Sequence, residues 1–268
     1  MGTILDEIVE QKETEVKDKR RAVPLKSLRS RAESRSAGNL FQEAIEGDKI
    51  DLIAEIKPCS PSAGRITELD ASEIATVYSR SRPAALSILT DKQFFGQGLE
   101  VLKELRKRVS KPILRKDFII DEYQIYETAA AGADCLLLIA AVLSPKQLRD
   151  YYQLAAELGL DVLLEIHDPA ELEKLTFVPR ILGINNRRLS GDFSTDLKQT
   201  AQLLKLRPQK SLLVSESGIK SADDIRYLQN LGGVNAVLVG TALLDSASQA
   251  AEIERRIESL MAPVISDE

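Results

Sequence analysis

Residues 52–66, LIAEIKPCSPSAGRI, open as an apolar run, deliver Glu55 and Lys57 two positions apart, and then break into a turn rich in Ser, Pro and Gly. Side chains alternate across a strand, so Ile53, Glu55 and Lys57 share one face while Leu52, Ala54 and Ile56 share the other. Stability alone gives no reason to carry two opposite charges to the end of a buried strand, because charged groups are costly to take out of water. Their placement asks for a strand end that lies inside the fold and is still reachable by solvent.

Seven further runs of the same kind follow: AALSIL from 84, PILR from 112, CLLLIA from 135, DVLLEI from 161, RILGIN from 180, SLLVSE from 211 and NAVLVG from 235. Between them lie stretches such as ASEIATVYSR, LEVLKELRKRV, EYQIYETAAAGA, SPKQLRDYYQLAAELG, TDLKQTAQLLKL and SADDIRYLQNLG, whose apolar residues return at helical spacing. Gly132, Gly159 and Gly232 stand just after the last apolar residue, a helix C-terminal signal. Each helix must carry the chain back across the sheet, so the strands are parallel. Eight such units predict a (β/α)8 TIM barrel, which takes about 250 residues, rather than an open doubly wound sheet, whose Gly-rich fingerprint is absent.

The barrel is expected over residues 49–268, with residues 1–48 as an N-terminal helical extension packing on it. ILDEIVEQKETEVKDKRRAV reads as a charged amphipathic helix with Ile4, Leu5, Ile8, Val9 and Val16 near one stripe, and SAGNLFQEAI as a loop running into a second short helix. Two readings stand for the first helix: a solvated cover over one barrel end, or a lid that narrows access to a site.

The 268 residues are 44% hydrophobic, enough for a real core, and carry a formal net charge of −5, which disfavours wholesale binding to nucleic acid or an anionic membrane. Cys59 and Cys135 lack metal-ligand spacing, and two reduced thiols in a cytoplasmic protein are expected. The N-terminal stretch is too acidic for a secretory or transit peptide, and no segment is long and apolar enough to span a bilayer.

The strand ends repeat the pattern of the first. Lys116 and Asp117, Glu165 and His167, Asn185, Asn186, Arg187 and Arg188, Ser215, Glu216 and Ser217, and Gly240 and Thr241 all sit at the downstream tip of an apolar run. Any one of these could be a solvated strand end; six tips behaving alike point to a shared site at the C-terminal mouth of the barrel. SESGI and VGTALL each place a Gly and a hydroxyl residue where a helix is expected to start, in the two loops that commonly hold phosphate in such barrels, and Ser60 adds a donor nearby. Phe94, Phe95 and Phe118 fall in loops at the same mouth, either as satellite core residues under those loops or as an apolar slot for a flat ring. His167 reads as a turn residue before Asp168 and Pro169, with no catalytic role.

The segments IAEIKPCSPSAG, LTDKQFFGQG, PILRKDFI, LLEIHD, GINNRRL, VSESGI and VLVGTALL, in this order at these strand ends, resemble the indole-3-glycerol phosphate synthase family over almost the whole chain. The resemblance implies ring closure, decarboxylation and dehydration of 1-(2-carboxyphenylamino)-1-deoxyribulose 5-phosphate, with no cofactor and no metal, in a monomer. It implies Lys116 as general acid, Lys57 as the partner of the substrate carboxylate, and Glu165 as base or stabiliser of the cationic intermediate. Glu55, Asn185, Glu216 and Ser217 would orient these groups, and Gly218, Gly240 and Thr241, with Ser60, would hold the phosphate. Phe95 and Phe118 would then line the ring slot, and Arg187 would pair with charge at the mouth. Arg188 and Cys59 depart from the family pattern in the loops.

A lysine with an ordinary pKa of about 10.4 is protonated at neutral pH, and neighbouring carboxylates keep it so when it is buried. On that logic Glu55 and Glu165 hold the lysines in their donating form. Three rival readings remain at this level: a sugar-phosphate isomerase on the same barrel, a Schiff-base aldolase using Lys57 or Lys116, and a sugar-phosphate sensor without turnover.

Overall fold

In the computed structural model, which describes residues 4–33, 38, 40–60, 64–188 and 194–265, each of the eight apolar runs forms a strand. They are β1 Asp51–Ile56, β2 Ala85–Leu89, β3 Ile113–Lys116, β4 Cys135–Ile139, β5 Asp161–Ile166, β6 Ile181–Asn185, β7 Leu212–Glu216 and β8 Ala236–Val239. Each pairs in parallel with its neighbour in sequence, and β8 closes on β1 with Ala236 opposite Asp51. The result is the (β/α)8 TIM barrel that the alternation predicts.

Intervening helices start where a side chain can satisfy their free N–H groups. Asp70 with Glu73, Asp121 with Gln124, Ser144 with Gln147 and Ser221 with Asp224 form reciprocal capping boxes. Gly132 ends the helix Glu122–Ala131 in the left-handed conformation, at φ 86°. Strand alternation sorts the core into two layers. Leu52, Ala54 and Ile56 join the layer between sheet and helices, while Ile53, Leu114, Leu137, Leu163 and Val214 fill the barrel interior.

Three elements precede the barrel: α1 Ile4–Ala22, α2 Leu25–Glu33 and α3 Leu40–Ala44. The sequence reading did not include α2, whose buried residues are only Leu28 and Ala32 among charged neighbours; it packs on the helix Glu122–Ala131. The extension reaches both barrel ends rather than one. Phe41 and Ile45 are fully buried in the interior cluster, and the N–H groups of Phe41 and Gln42 donate to the Asp161 carboxylate, at the upstream end of β5, over 3.1 and 3.0 Å. This plugs the N-terminal end of the barrel.

At the opposite end α1 buries Ile8, Lys12 and Val16, a stripe at four-residue spacing. The Lys12 ammonium lies 2.8 Å from Asp117 and 2.9 Å from Asp91, residues just downstream of β3 and β2. A helix whose lysine is wholly buried against two strand ends is not a merely solvated cover. Among the described residues no helix is long and apolar enough to cross a membrane.

Candidate active site

The C-terminal strand tips converge on a cavity of about 1030 Å³. Its wall includes Glu55, Lys57, Lys116, Glu165, Asn185, Glu216 and Ser217, and also Phe95, Phe118, Arg187, Gly218, Gly240 and Thr241. Of the residues singled out from sequence, only the Ser60 side chain lies outside the described residues.

Two lysines and three carboxylates form its floor. Lys57 lies 2.9 Å from Glu55, and the Lys116 ammonium donates to Glu165 over 3.3 Å and to Glu216 over 3.1 Å. Room for this cluster comes from two glycines. A Cβ at Gly183 would collide with the Glu216 carboxylate, and one at Gly240 with that of Glu55.

Burial alone would strip Lys116 of its proton, but Glu216, Glu165 and Glu55 more than offset this and raise its pKa above the ordinary lysine value. Burial likewise opposes ionisation of Glu55, yet Lys57 and Lys116 hold it below the usual carboxylate range. Glu165 is also lowered: burial acts upward, and Lys116, His167 and a hydrogen bond from Asn185 prevail. Glu216 goes the other way, pushed up to about 7 by burial, which Lys116 offsets only in part and Glu165 reinforces. Two carboxylates sharing one ammonium thus divide into an ionised Glu165 and a readily protonated Glu216, a separation that gives neighbouring acids different roles.

The two loops read from the sequence as phosphate sites differ from that expectation in one respect. After β7 the helix Ala222–Leu231 starts only beyond Ser221, so Ser217 and Gly218 lie in the loop itself, at φ 66° and 81°. After β8 the helix Thr241–Leu244 is a single turn. A single turn aligns too few peptide dipoles for the helix field to dominate there, so the expectation of a helix-end anion site is weaker than the sequence suggests. Phe94 and Phe95 belong to a short helix, Lys92–Phe95, rather than an open loop; Asp91 caps it by accepting from the Phe94 N–H over 2.7 Å. Phe95 and Phe118 reach the cavity, whereas Phe94 borders a separate shallow acidic pocket. Among the described residues no group of three or more His, Cys, Asp or Glu side chains is arranged to hold a metal ion.

Comparison with known proteins bears on this arrangement. Residues 5–256 match the family model described as indole-3-glycerol phosphate synthase. The indole-3-glycerol phosphate synthase of Thermoanaerobacter sp. (strain X514) is 48% identical over 243 residues, covering 90% of this chain and 92% of that protein. That of Clostridium acetobutylicum is 44% identical over 244 residues, covering 90% and 92%. The chain belongs to the indole-3-glycerol phosphate synthase family. Among solved structures, a mutant tryptophan synthase alpha-subunit from Pyrococcus furiosus aligns with a TM-score of 0.59 at 17% identity, covering 81% of this chain and 100% of that one, a likeness of fold alone.

In this synthase-family barrel the cavity also has walls that sequence reasoning missed. His167 is among them: its imidazole is buried and its Nε2 lies 3.3 Å from Glu165. So are Lys220 and Arg256, cations near the loops after β7 and β8, and Leu5 from α1. Position in LLEIHD, two residues beyond Glu165 and therefore on the same strand face, was the available signal for His167. Arg256 belongs to the last helix, far from any strand tip in sequence, and no local pattern marks it.

Proposed function

We propose that this chain converts 1-(2-carboxyphenylamino)-1-deoxyribulose 5-phosphate to indole-3-glycerol phosphate with loss of carbon dioxide and water, Lys116 acting as the general acid of ring closure. As a member of its family the chain is a carboxy-lyase. The observation that carries the residue assignment is the Lys116 ammonium held between Glu165 and Glu216 at the cavity floor, which it shares with the Lys57–Glu55 pair.

The ring carbon that bears the carboxylate attacks the ribulose carbonyl while Lys116 protonates the carbonyl oxygen, so that no alkoxide accumulates. Loss of carbon dioxide returns the bonding pair to the ring and restores aromaticity. Dehydration then removes the new hydroxyl, protonated by a lysine, and a proton from the adjacent CH2, for which Glu165 is the base. Lys57, oriented by Glu55, faces the substrate carboxylate; Asn185, Glu216 and Ser217 orient the acid, the base and the sugar hydroxyls. Backbone and hydroxyl groups of Ser60, Gly218, Gly240 and Thr241 take the phosphate, Arg187 adds positive charge at the mouth, and Phe95 and Phe118 flank the flat ring. Holding the substrate by its phosphate at one end and its carboxylate at the other removes much of the entropy that keeps the reacting atoms apart. The same reading treats residues 1–48 as part of one unit with the barrel and takes the enzyme to be a cytoplasmic monomer.

The chain has no Trp, so an indole product is directly visible by fluorescence against six Tyr. Lys116→Ala is expected to abolish this signal while substrate still binds; turnover near the parent rate would remove Lys116 from the acid role. Release of carbon dioxide separates the synthase from a sugar-phosphate isomerase, and a borohydride-trapped adduct would favour the Schiff-base aldolase.

A further inference from the structure

His167 stands between two carboxylates. Its Nε2 lies 3.3 Å from Glu165 Oε1 and its Nδ1 3.6 Å from Glu171 Oε2, with the imidazole only 6% exposed. Neither ring nitrogen makes a hydrogen bond at conventional geometry among the described residues, so each lies close to a carboxylate oxygen without a formed hydrogen bond. The surroundings are fixed from several elements. Glu171, in the short helix Pro169–Glu173, accepts the His167 backbone N–H over 2.8 Å, and the Gln199 side chain donates to the His167 carbonyl. Glu165 comes from β5 and Glu216 from β7, the third carboxylate acting on the ring.

The chemistry of imidazole decides between its forms here. Neutral histidine has one N–H and one lone pair, so one of the two facing carboxylates would meet a lone pair; the imidazolium presents an N–H to each. Burial on its own would favour the neutral ring, yet Glu171, Glu165 and Glu216 outweigh it and raise the histidine above its ordinary value.

We infer that His167 is a positioning residue of this active site: as an imidazolium bridging Glu165 and Glu171, it fixes one oxygen of the proposed base and leaves the other facing Lys116. This rests on the role proposed for Glu165. The arrangement explains why Glu165 stays ionised beside Glu216 when both share one lysine. When the ring loses its proton, the anchor on Glu165 Oε1 goes with it, and the carboxylate is free to rotate.

His167 is the only histidine of the chain, which makes the test direct. In the NMR spectrum of the full-length protein without substrate, the imidazole resonances are expected to titrate with a midpoint above about 6.5, the ordinary value. The midpoint should move down in both Glu165→Gln and Glu171→Gln. A midpoint at or below the ordinary value, or one that neither variant moves, overturns the inference, and this result does not depend on whether the enzyme makes indole.

The kinetic test uses Glu171→Gln, a side chain off the cavity wall, with His167→Gln beside it. Both are expected to lower kcat by about tenfold to hundredfold with KM changed far less, since misplacing a reacting group by about 1 Å costs on that scale. The parent should lose activity on an alkaline limb that follows the NMR midpoint, and Glu171→Gln should shift that limb to lower pH. Parent-like kcat and pH profile in both variants would defeat the positioning role.

Discussion

Two buried charge networks lie back to back on β3, and they are built differently. Arg115 points out of the barrel and is fully buried. Its five N–H donors meet Thr90, the Gln124 carbonyl, Thr128, Asp117 and Glu127 at 2.8 to 3.1 Å. Asp117 also holds Lys12, whose three donors are all used on Glu15, Asp91 and Asp117. One residue away, Lys116 points inward and uses two of its three donors, and Glu216 Oε1 is buried with no hydrogen-bond partner among the described residues. The outer network is saturated and closed. The inner one keeps spare donors, a spare acceptor and a carboxyl that titrates near neutrality, all facing a cavity. Charges satisfied on every side fix geometry, whereas charges left partly unsatisfied retain the capacity to exchange protons with something that enters.

That contrast can be broken most sharply by matched variants. Lys116→Met is expected to cut kcat by about 1,000-fold or more, within the range for removing a general acid, with far less change in the denaturation midpoint. Arg115→Met should do the reverse. Leaving Asp117 and Glu127 without their buried partner is expected to cost about 3–5 kcal/mol by urea denaturation, and residual activity per folded molecule should exceed that of Lys116→Met by orders of magnitude. Equal effects of both variants on both measurements would mean that the two networks are one.

A smaller effect concerns pH. Because burial raises Glu216 to about 7, the folded protein holds a proton there that the unfolded chain releases near its ordinary value, about 4.3. The stability this proton contributes is complete below the unfolded value and is lost as pH climbs through about 7. Glu216→Gln should therefore flatten the stability profile over that interval, by about 3–4 kcal/mol, as read from denaturation curves at several pH values. An unchanged slope would show that Glu216 carries no raised pKa. The smallest effect is expected from Leu5→Ala in α1, where losing roughly 1 kcal/mol of apolar contact raises KM about fivefold and leaves kcat alone.

Sequence alone made the barrel legible because its signal is repeated: eight apolar runs, helical stretches between them, and polar or charged residues at six of the downstream tips. The floor of the site was legible for the same reason, since Glu55, Lys116, Glu165 and Glu216 occupy strand positions, and Lys57 the position just beyond β1, whose facing follows from a period of two. What escaped depends on tertiary approach. Lys12 sits in an apolar stripe, where a lysine reads as an interruption until Asp91 and Asp117 arrive from elsewhere in the chain. The helix α2 was missed because two buried side chains in a charged segment make a weak periodic signal, and its helical form depends on packing against a neighbour. His167 reads as a turn residue in the sequence because Asp168 and Pro169 follow it. That reading describes the backbone correctly and says nothing about where the ring points.

The triplet Arg115, Lys116 and Asp117 also constrains how this chemistry could be moved or repaired. Deleting a single residue from Ile113–Lys116 would exchange inside for outside, sending the guanidinium into the cavity and the Lys116 ammonium into the wall. A designer grafting the lysine onto another scaffold would need to bring its two flanking residues and the acceptors behind them, because the rigidity of the front is supplied from the rear.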